Sequence, residues 1–238
     1  MKGLSRVYAG MIAISTLMAG GISACHDHPL NPGEDCSQIL VNPSFESITG
    51  LTPHPGHGGS LYGVEGWMEG PGAPLMNSPD IYDSPQDIPN NFMGSQTPLD
   101  GKNYAGISQG RHYSTYLNES LMGTLHPKAP NGTERTYQVS AWFSSGTVRP
   151  HPSDIEMVLY NSQTGEELQV VDDRVPNSGN WEELSGSVSS TKAFDHLIIR
   201  GINKGENGHT LSYAYVDKVS VQECTGGCDD GDDLDDLR

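Results

Sequence analysis

The stretch Tyr137-Gln-Val-Ser-Ala-Trp-Phe143 alternates apolar and polar residues without a break. A period of two places Tyr137, Val139, Ala141 and Phe143 on one side of an extended chain, and Gln138, Ser140 and Trp142 on the other. Strand-like segments follow at 154–160, 167–172, 181–189, 193–202 and 211–222, and Asn161-Ser-Gln-Thr-Gly165 has the residues of a hairpin turn between two of them. No helical stretch separates these segments. Parallel strands need a crossover, usually a helix, so this spacing predicts an all-β sandwich or barrel rather than an α/β sheet.

Upstream the signal is less regular. Ile39-Leu40-Val41 begins a first strand that runs into Asn42-Pro-Ser-Phe-Glu46, with Phe45 buried. Tyr213-Ala-Tyr-Val-Asp-Lys-Val219 reads as the closing strand beside it. Gly66-Trp67 follows a Gly-rich loop, and Trp67 reads as a core plug at one end of the fold. Residues 70–101 carry almost no periodicity, which points to a functional loop or to one packed by its own side chains. Tyr104–Ile107 is a short strand. Tyr113–Leu125 is read as a strand, although Tyr116, Leu117, Leu121 and Leu125 also fit a helical spacing. Trp181 is assigned to the core.

The chain divides into four parts: a signal segment (1–24), a polar tether (25–36), one β domain (37–223) and an acidic tail (224–238). Lys2 and Arg6 precede an apolar run from Val7 to Met18, the pattern of a secretory signal. Ile22-Ser-Ala-Cys25 resembles a bacterial lipobox, which makes Cys25 the expected lipidation site. The protein is then exported and membrane-anchored, periplasmic or cell-surface, and touches the bilayer only through its acyl chains. The competing reading is an ordinary signal peptide with a free Cys25. Removing residues 1–24 leaves 11 basic against 30 acidic side chains, a net charge of −19. That balance argues against a nucleic-acid partner, because phosphate binding needs Lys and Arg.

An oxidising compartment permits disulfides. With Cys25 assigned to lipid, three cysteines remain. A Cys36–Cys224 bond would clamp the ends of the domain; a Cys224–Cys228 bond would close only a small Gly loop. The first is favoured, though connectivity cannot be read from spacing. The pairs His26/His28 and His54/His57 sit among Pro and Gly and read as solvated loops rather than metal sites. The Asp-rich run 229–238 reads as a disordered, solvated tail, since it lacks the spacing of a calcium loop.

No nucleophile elbow, zinc helix or phosphate loop is present. Asp195 and His196 are adjacent on an expected strand, which would point them to opposite faces and preclude a dyad. Glu182-Glu183 meets the same objection. Glu156 and Glu167 are the nearest thing to a glycosidase pair.

Three segments are familiar. Leu40-Val-Asn-Pro-Ser-Phe-Glu46, Trp181-Glu-Glu-Leu-Ser-Gly-Ser-Val188 and Tyr215-Val-Asp-Lys-Val-Ser-Val221 resemble the opening, middle and closing strands of galactose-binding-like jelly rolls, the fold of family 4/9-type carbohydrate-binding modules. The block from Gly66-Trp67 through Ile88-Pro-Asn-Asn-Phe-Met-Gly-Ser-Gln96 to Tyr104-Ala-Gly-Ile107 resembles a subset in bacterial cell-surface proteins. The likeness covers residues 37–223. It implies a two-sheet antiparallel sandwich with a structural Ca²⁺ where the first and last strands meet, held by Glu46 and Asp217 with backbone carbonyls. Lys218 departs from the pattern, which often has a second Asp there. The resemblance also implies a non-catalytic module that binds glycan or cell-surface polysaccharide through aromatic rings on a sheet face. Trp142 and Gln138 are the expected ligand residues, with Glu156 and Arg200 on neighbouring strands of the same face. The alternatives are a structural or adhesive surface protein that contacts other proteins, and a polysaccharide hydrolase.

Overall fold

The computed structural model describes residues 35–50, 59–71, 79–83, 85, 88–112, 115–146, 153–175, 178–202 and 212–225. The expected signal segment, Cys25, the four histidines of the tether and the following loop, Cys228 and the acidic tail lie outside these residues.

Fifteen strands are formed among the described residues. In chain order they are β1 (Asp35–Gln38), β2 (Gly59–Ser60), β3 (Trp67–Glu69), β4 (Asp80–Tyr82), β5 (Asn90–Asn91), β6 (Gly94–Ser95), β7 (Tyr104–His112), β8 (Thr115–Asn118), β9 (Ser120–Thr124), β10 (Arg135–Ser145), β11 (Ser153–Asn161), β12 (Glu166–Val175), β13 (Glu182–Ser190), β14 (His196–Ile202) and β15 (Ser212–Thr225). The larger sheet has eight strands in the order β13–β10–β15–β7–β4–β2, with β1 added on β15 and β8 on β7; the smaller has five, β12–β11–β14–β9–β3. Every pairing is antiparallel.

The closing strand β15 lies at the centre. Along one side it pairs with β10 for most of its length; on the other it meets β7 at residues 212–216 and β1 at 222–225. The core fills the space between the sheets. The alternation of 137–143 is realised in β10, whose Tyr137, Val139, Ala141 and Phe143 are buried against Ile155, Met157, Leu159, Leu197 and Ile199 of the other sheet. Trp67 plugs this core, its ring 4.6 Å from that of Phe45. The expected turn joins β11 and β12: the Gly165 amide donates to the Asn161 carbonyl at 2.8 Å, and Gly165 takes the positive φ that the turn needs.

Two readings are corrected. Asn42–Phe45 is a turn, not a strand, with Asn42 and Phe45 both in the left-handed region. The regular pairing with β15 lies earlier, at Asp35–Gln38. The segment 113–125 holds two strands in different sheets, β8 on β7 and β9 on β14, and the chain changes sheet at Glu119. The stretch 70–101, by contrast, settles one of its two expected forms. Part of it packs over the outer face of the larger sheet and buries a second cluster of Tyr82, Tyr104, Tyr213 and Tyr215, with Ile88, Met93 and Trp181 packed against it.

Candidate functional site

Cys36 and Cys224 stand directly opposite each other in the β1–β15 ladder and are joined by a disulfide, as one of the two sequence alternatives had it. This fixes the register of the outer end of β15 and of the face beside it.

Glu46 and Asp217 meet one loop from two sides. Glu46 Oε1 accepts the amides of Lys102 and Asn103 at 2.7 and 2.8 Å. Asp217 Oδ2 accepts those of Leu99 and Asp100 at 2.7 and 3.0 Å, and its Oδ1 accepts that of Lys218 at 2.6 Å. Gly101 is required where the loop crosses Glu46: its φ is +65°, and a Cβ would lie 2.3 Å from Glu46 Oε1. Burial pushes the Asp217 carboxyl up to about 6, against the lowering effect of its three amide donors. These amides supply the partial positive charge that a cation would otherwise bring. Among the described residues, no three His, Cys, Asp or Glu side chains converge to hold a metal ion. The donor set for Ca²⁺ would therefore have to share oxygens already bound to amides.

The three non-glycine residues with positive φ among those described, Asn42, Phe45 and Lys218, gather beside this clamp. The Val219 amide donates to the Pro43 carbonyl at 2.9 Å, which joins the opening turn to β15. Asn42 suits its conformation: its side chain bonds both backbone groups of Ser47, and its carbonyl accepts the Trp67 indole N–H at 2.8 Å.

From the clamp outward, the outer face of the larger sheet is laid out in rows. Directly paired residues of antiparallel strands share a face. The rows are Glu183–Trp142–Asp217, then Ser185–Ser140–Ser220, then Ser187–Gln138–Gln222–Gln38. Trp142 is half-buried and Gln138 and Ser140 are partly exposed, while Ser185 and Ser187 are open to solvent. Gln38 Nε2 donates to Ser220 Oγ at 3.2 Å across the rows. Behind Trp142 the second and third rows consist wholly of hydroxyls and amides. Such a surface offers both donors and acceptors over a flat area, with one aromatic ring at its end.

Glu156 and Arg200 are not on this face. They pair on the outer face of the smaller sheet, and the expectation that they join Trp142 is overturned. The reason is that alternation tells which side of its own sheet a residue occupies, not which sheet its strand enters. Arg200 donates to Glu156 at 2.6 Å and to both oxygens of Glu167 at 3.0 and 2.8 Å. Val158 and Ile198 lie on that same face and are buried. Reaching Glu167 takes the Arg200 side chain across the row they occupy.

Asp195 and His196 also depart from expectation. Asp195 precedes β14, so the side chains are free to meet, and His196 Nδ1 lies 3.0 Å from Asp195 Oδ1. Burial alone would raise the Asp195 carboxyl, but Ser162 and His196 hold it below its ordinary value. The aspartate sits between the serine and the histidine, which is not the order of a nucleophile and its base.

Sequence reasoning missed the tyrosine cluster and its acids. Tyr213 Oη donates to Asp80 Oδ2 at 2.6 Å and lies 2.7 Å from Tyr82 Oη; Tyr215 Oη donates to Asn91 Oδ1 at 2.8 Å. The signal available was Tyr213-Ala-Tyr215, two large rings on one side of a strand. Trp181 joins this cluster rather than the main core, its indole N–H donating to the Thr97 carbonyl at 2.9 Å. Nearby, Glu119 accepts the Ser108 amide at 2.6 Å, and burial followed by the Asp80 charge pushes its carboxyl up to about 9.

No family model matches the chain, and no curated protein matches it. Solved structures do. An arabinose-bound family GH51 α-L-arabinofuranosidase is 14% identical with a TM-score of 0.50, over 78% of this chain and 26% of that one. The CBM22-1 xylan-binding domain of Paenibacillus barcinonensis Xyn10C is 12% identical with a TM-score of 0.46, over 80% and 98%. The K3 cleaved adhesin domain of Lys-gingipain from Porphyromonas gingivalis w83 is 9% identical with a TM-score of 0.49, over 79% and 99%. This chain spans about a quarter of the arabinofuranosidase. At these identities the likeness is one of architecture alone: the chain is an antiparallel jelly-roll β-sandwich.

Proposed function

We propose that this domain binds polysaccharide without cleaving it, through the outer face of the eight-stranded sheet around Trp142. The observation that carries the reading is the pair of rows Ser185–Ser140–Ser220 and Ser187–Gln138–Gln222–Gln38 leading to Trp142. In a chain with 30 acidic residues, these two rows hold none. Sugar hydroxyls need donors and acceptors at close range, which these rows supply, and the apolar face of a pyranose packs on a ring. The xylan-binding module among the similar structures is in keeping with this reading. A hydrolase is disfavoured by the smaller sheet, where Glu156 and Glu167 are both bound to Arg200 rather than poised across a substrate.

Anchoring through a lipidated Cys25, with display at a bacterial surface or in the periplasm, belongs to the same proposal, as does a structural Ca²⁺ beside Glu46 and Asp217. Acyl chains on Cys25 would be read by mass spectrometry of the membrane fraction, against a C25S variant. Calcium would raise the melting midpoint of the chelator-treated protein, and D217N would abolish that rise.

The central test is a glycan array followed by calorimetry on the best ligand. Replacing Trp142 by Ala should abolish measurable binding while leaving the melting midpoint within about 2 °C of wild type. No wild-type binding to any glycan at high protein concentration, or full binding by W142A, would refute the assignment.

A further inference from the structure

We infer that Lys218 is a specificity determinant of the Trp142 surface, its ammonium pairing with a carboxylate or sulfate on the sugar that stacks against the ring. The inference rests on the glycan reading above and adds the class of sugar to it.

Its basis is the backbone. Between Ser140 and Trp142, β10 advances two residues while β15 advances three, from Ser220 to Asp217, so β15 carries a bulge. Lys218 sits in that bulge with φ +48°, a conformation that L side chains rarely adopt and glycine adopts freely. The Asp217 carboxylate receives the Lys218 amide and holds the bulge in place. Strain of this kind, kept at a position where glycine would relieve it, points to a role for the side chain.

The side chain is exposed, and its Nζ lies 5.8 Å from the centroid of the Trp142 ring. Arg135, Arg174, Lys192 and Arg200 each hold a carboxylate, whereas Lys218 makes no ion pair among the described residues. On its strand Lys218 adjoins Asp217, which is buried and spent on amides; Glu183 stands in the same row as Trp142, on β13. A sugar that stacks on the ring thus meets the ammonium that lies over that ring, with hydroxyls and amides beyond. The protein's net negative charge acts weakly here, because salt screens charges beyond about 8 Å and contact pairs far less.

Calorimetry on the whole chain would compare three oligosaccharides of one backbone: neutral, uronate-substituted and sulfated. Wild type should prefer the anionic ligands by about threefold, the worth of one exposed ion pair, and lose the preference as salt rises. K218R should keep it, and K218M should bind all three alike. K218G should lose it while melting at a higher temperature, which separates the role of the side chain from that of the fold. Preference for only one anion names the group recognised. Equal binding of neutral and anionic ligands by wild type, or an unchanged preference in K218M, overturns the inference and leaves the glycan reading standing. Failure of wild type to bind any of them overturns both.

Discussion

Cys36 and Cys224 are paired across the β1–β15 ladder with their Cα atoms 4.0 Å apart, although 188 positions separate them in the chain. Closing a loop of that length restricts the unfolded ensemble strongly, by about 3–5 kcal/mol in the chain-entropy account. Reduction, or the C36A/C224A double substitution, should lower the urea midpoint by that amount of stability. An unchanged midpoint would mean that the unfolded chain is already held compact.

Glu119 makes stability depend on pH in a defined direction. Its carboxyl is raised from the ordinary value near 4.5 to about 9 in the folded protein, first by burial and then by the Asp80 charge. Between those values the folded state holds a proton that the unfolded chain releases, so stability falls as pH rises from about 5 to 9, by at most about 1.4 kcal/mol per unit. E119Q retains an acceptor for the Ser108 amide and has no proton to lose. It should flatten the profile and be more stable than wild type at pH 8, as read by urea unfolding across the range.

The Arg200 cluster should matter for folding and not for binding. R200M leaves Glu156 facing its former partner in a half-buried place, at a cost of about 1–2 kcal/mol; Glu167, more exposed, adds little because solvent screens it. Because this cluster lies on the opposite outer face from Trp142, glycan affinity should be unaltered. A loss of affinity in R200M with an intact fold would move the binding surface to the smaller sheet.

Gly106 faces the tyrosine cluster with no room for a methyl group. A Cβ there would lie 2.1 Å from Tyr213 Oη, and that side chain is fully buried, its ring against Tyr215 and its hydroxyl 2.7 Å from that of Tyr82. G106A should cost about 2–3 kcal/mol through overpacking. G132A is a useful contrast, since nothing lies within 4 Å of its Cβ and only the positive φ opposes it, at about 1 kcal/mol. Thermal unfolding of the two variants separates crowding from backbone strain.

Several elements were legible in the chain because they depend on neighbours in sequence. The inward side of β10 follows from the period of two in Tyr137–Phe143, and the β11–β12 turn from Asn161 and Gly165. Trp67 as a core plug, and the two ends of the domain lying together, were also readable. What escaped depends on partners far away. Alternation placed Glu156 and Arg200 on an outer face, but only the pairing of β11 with β14 and β12 decided that this face belongs to the other sheet. The tyrosines at 82, 104, 213 and 215 point outward from their strands, where solvent would be expected, and become a core because the 88–103 loop folds over them. The opening turn takes left-handed backbone at Asn42 and Phe45 because β15 must be met there, which no local preference of Phe foretells. Local rules specify which way a side chain points along its own strand; which strand or loop it then meets is set by long-range hydrogen bonding and burial, and that is where the candidate surface around Trp142 was decided.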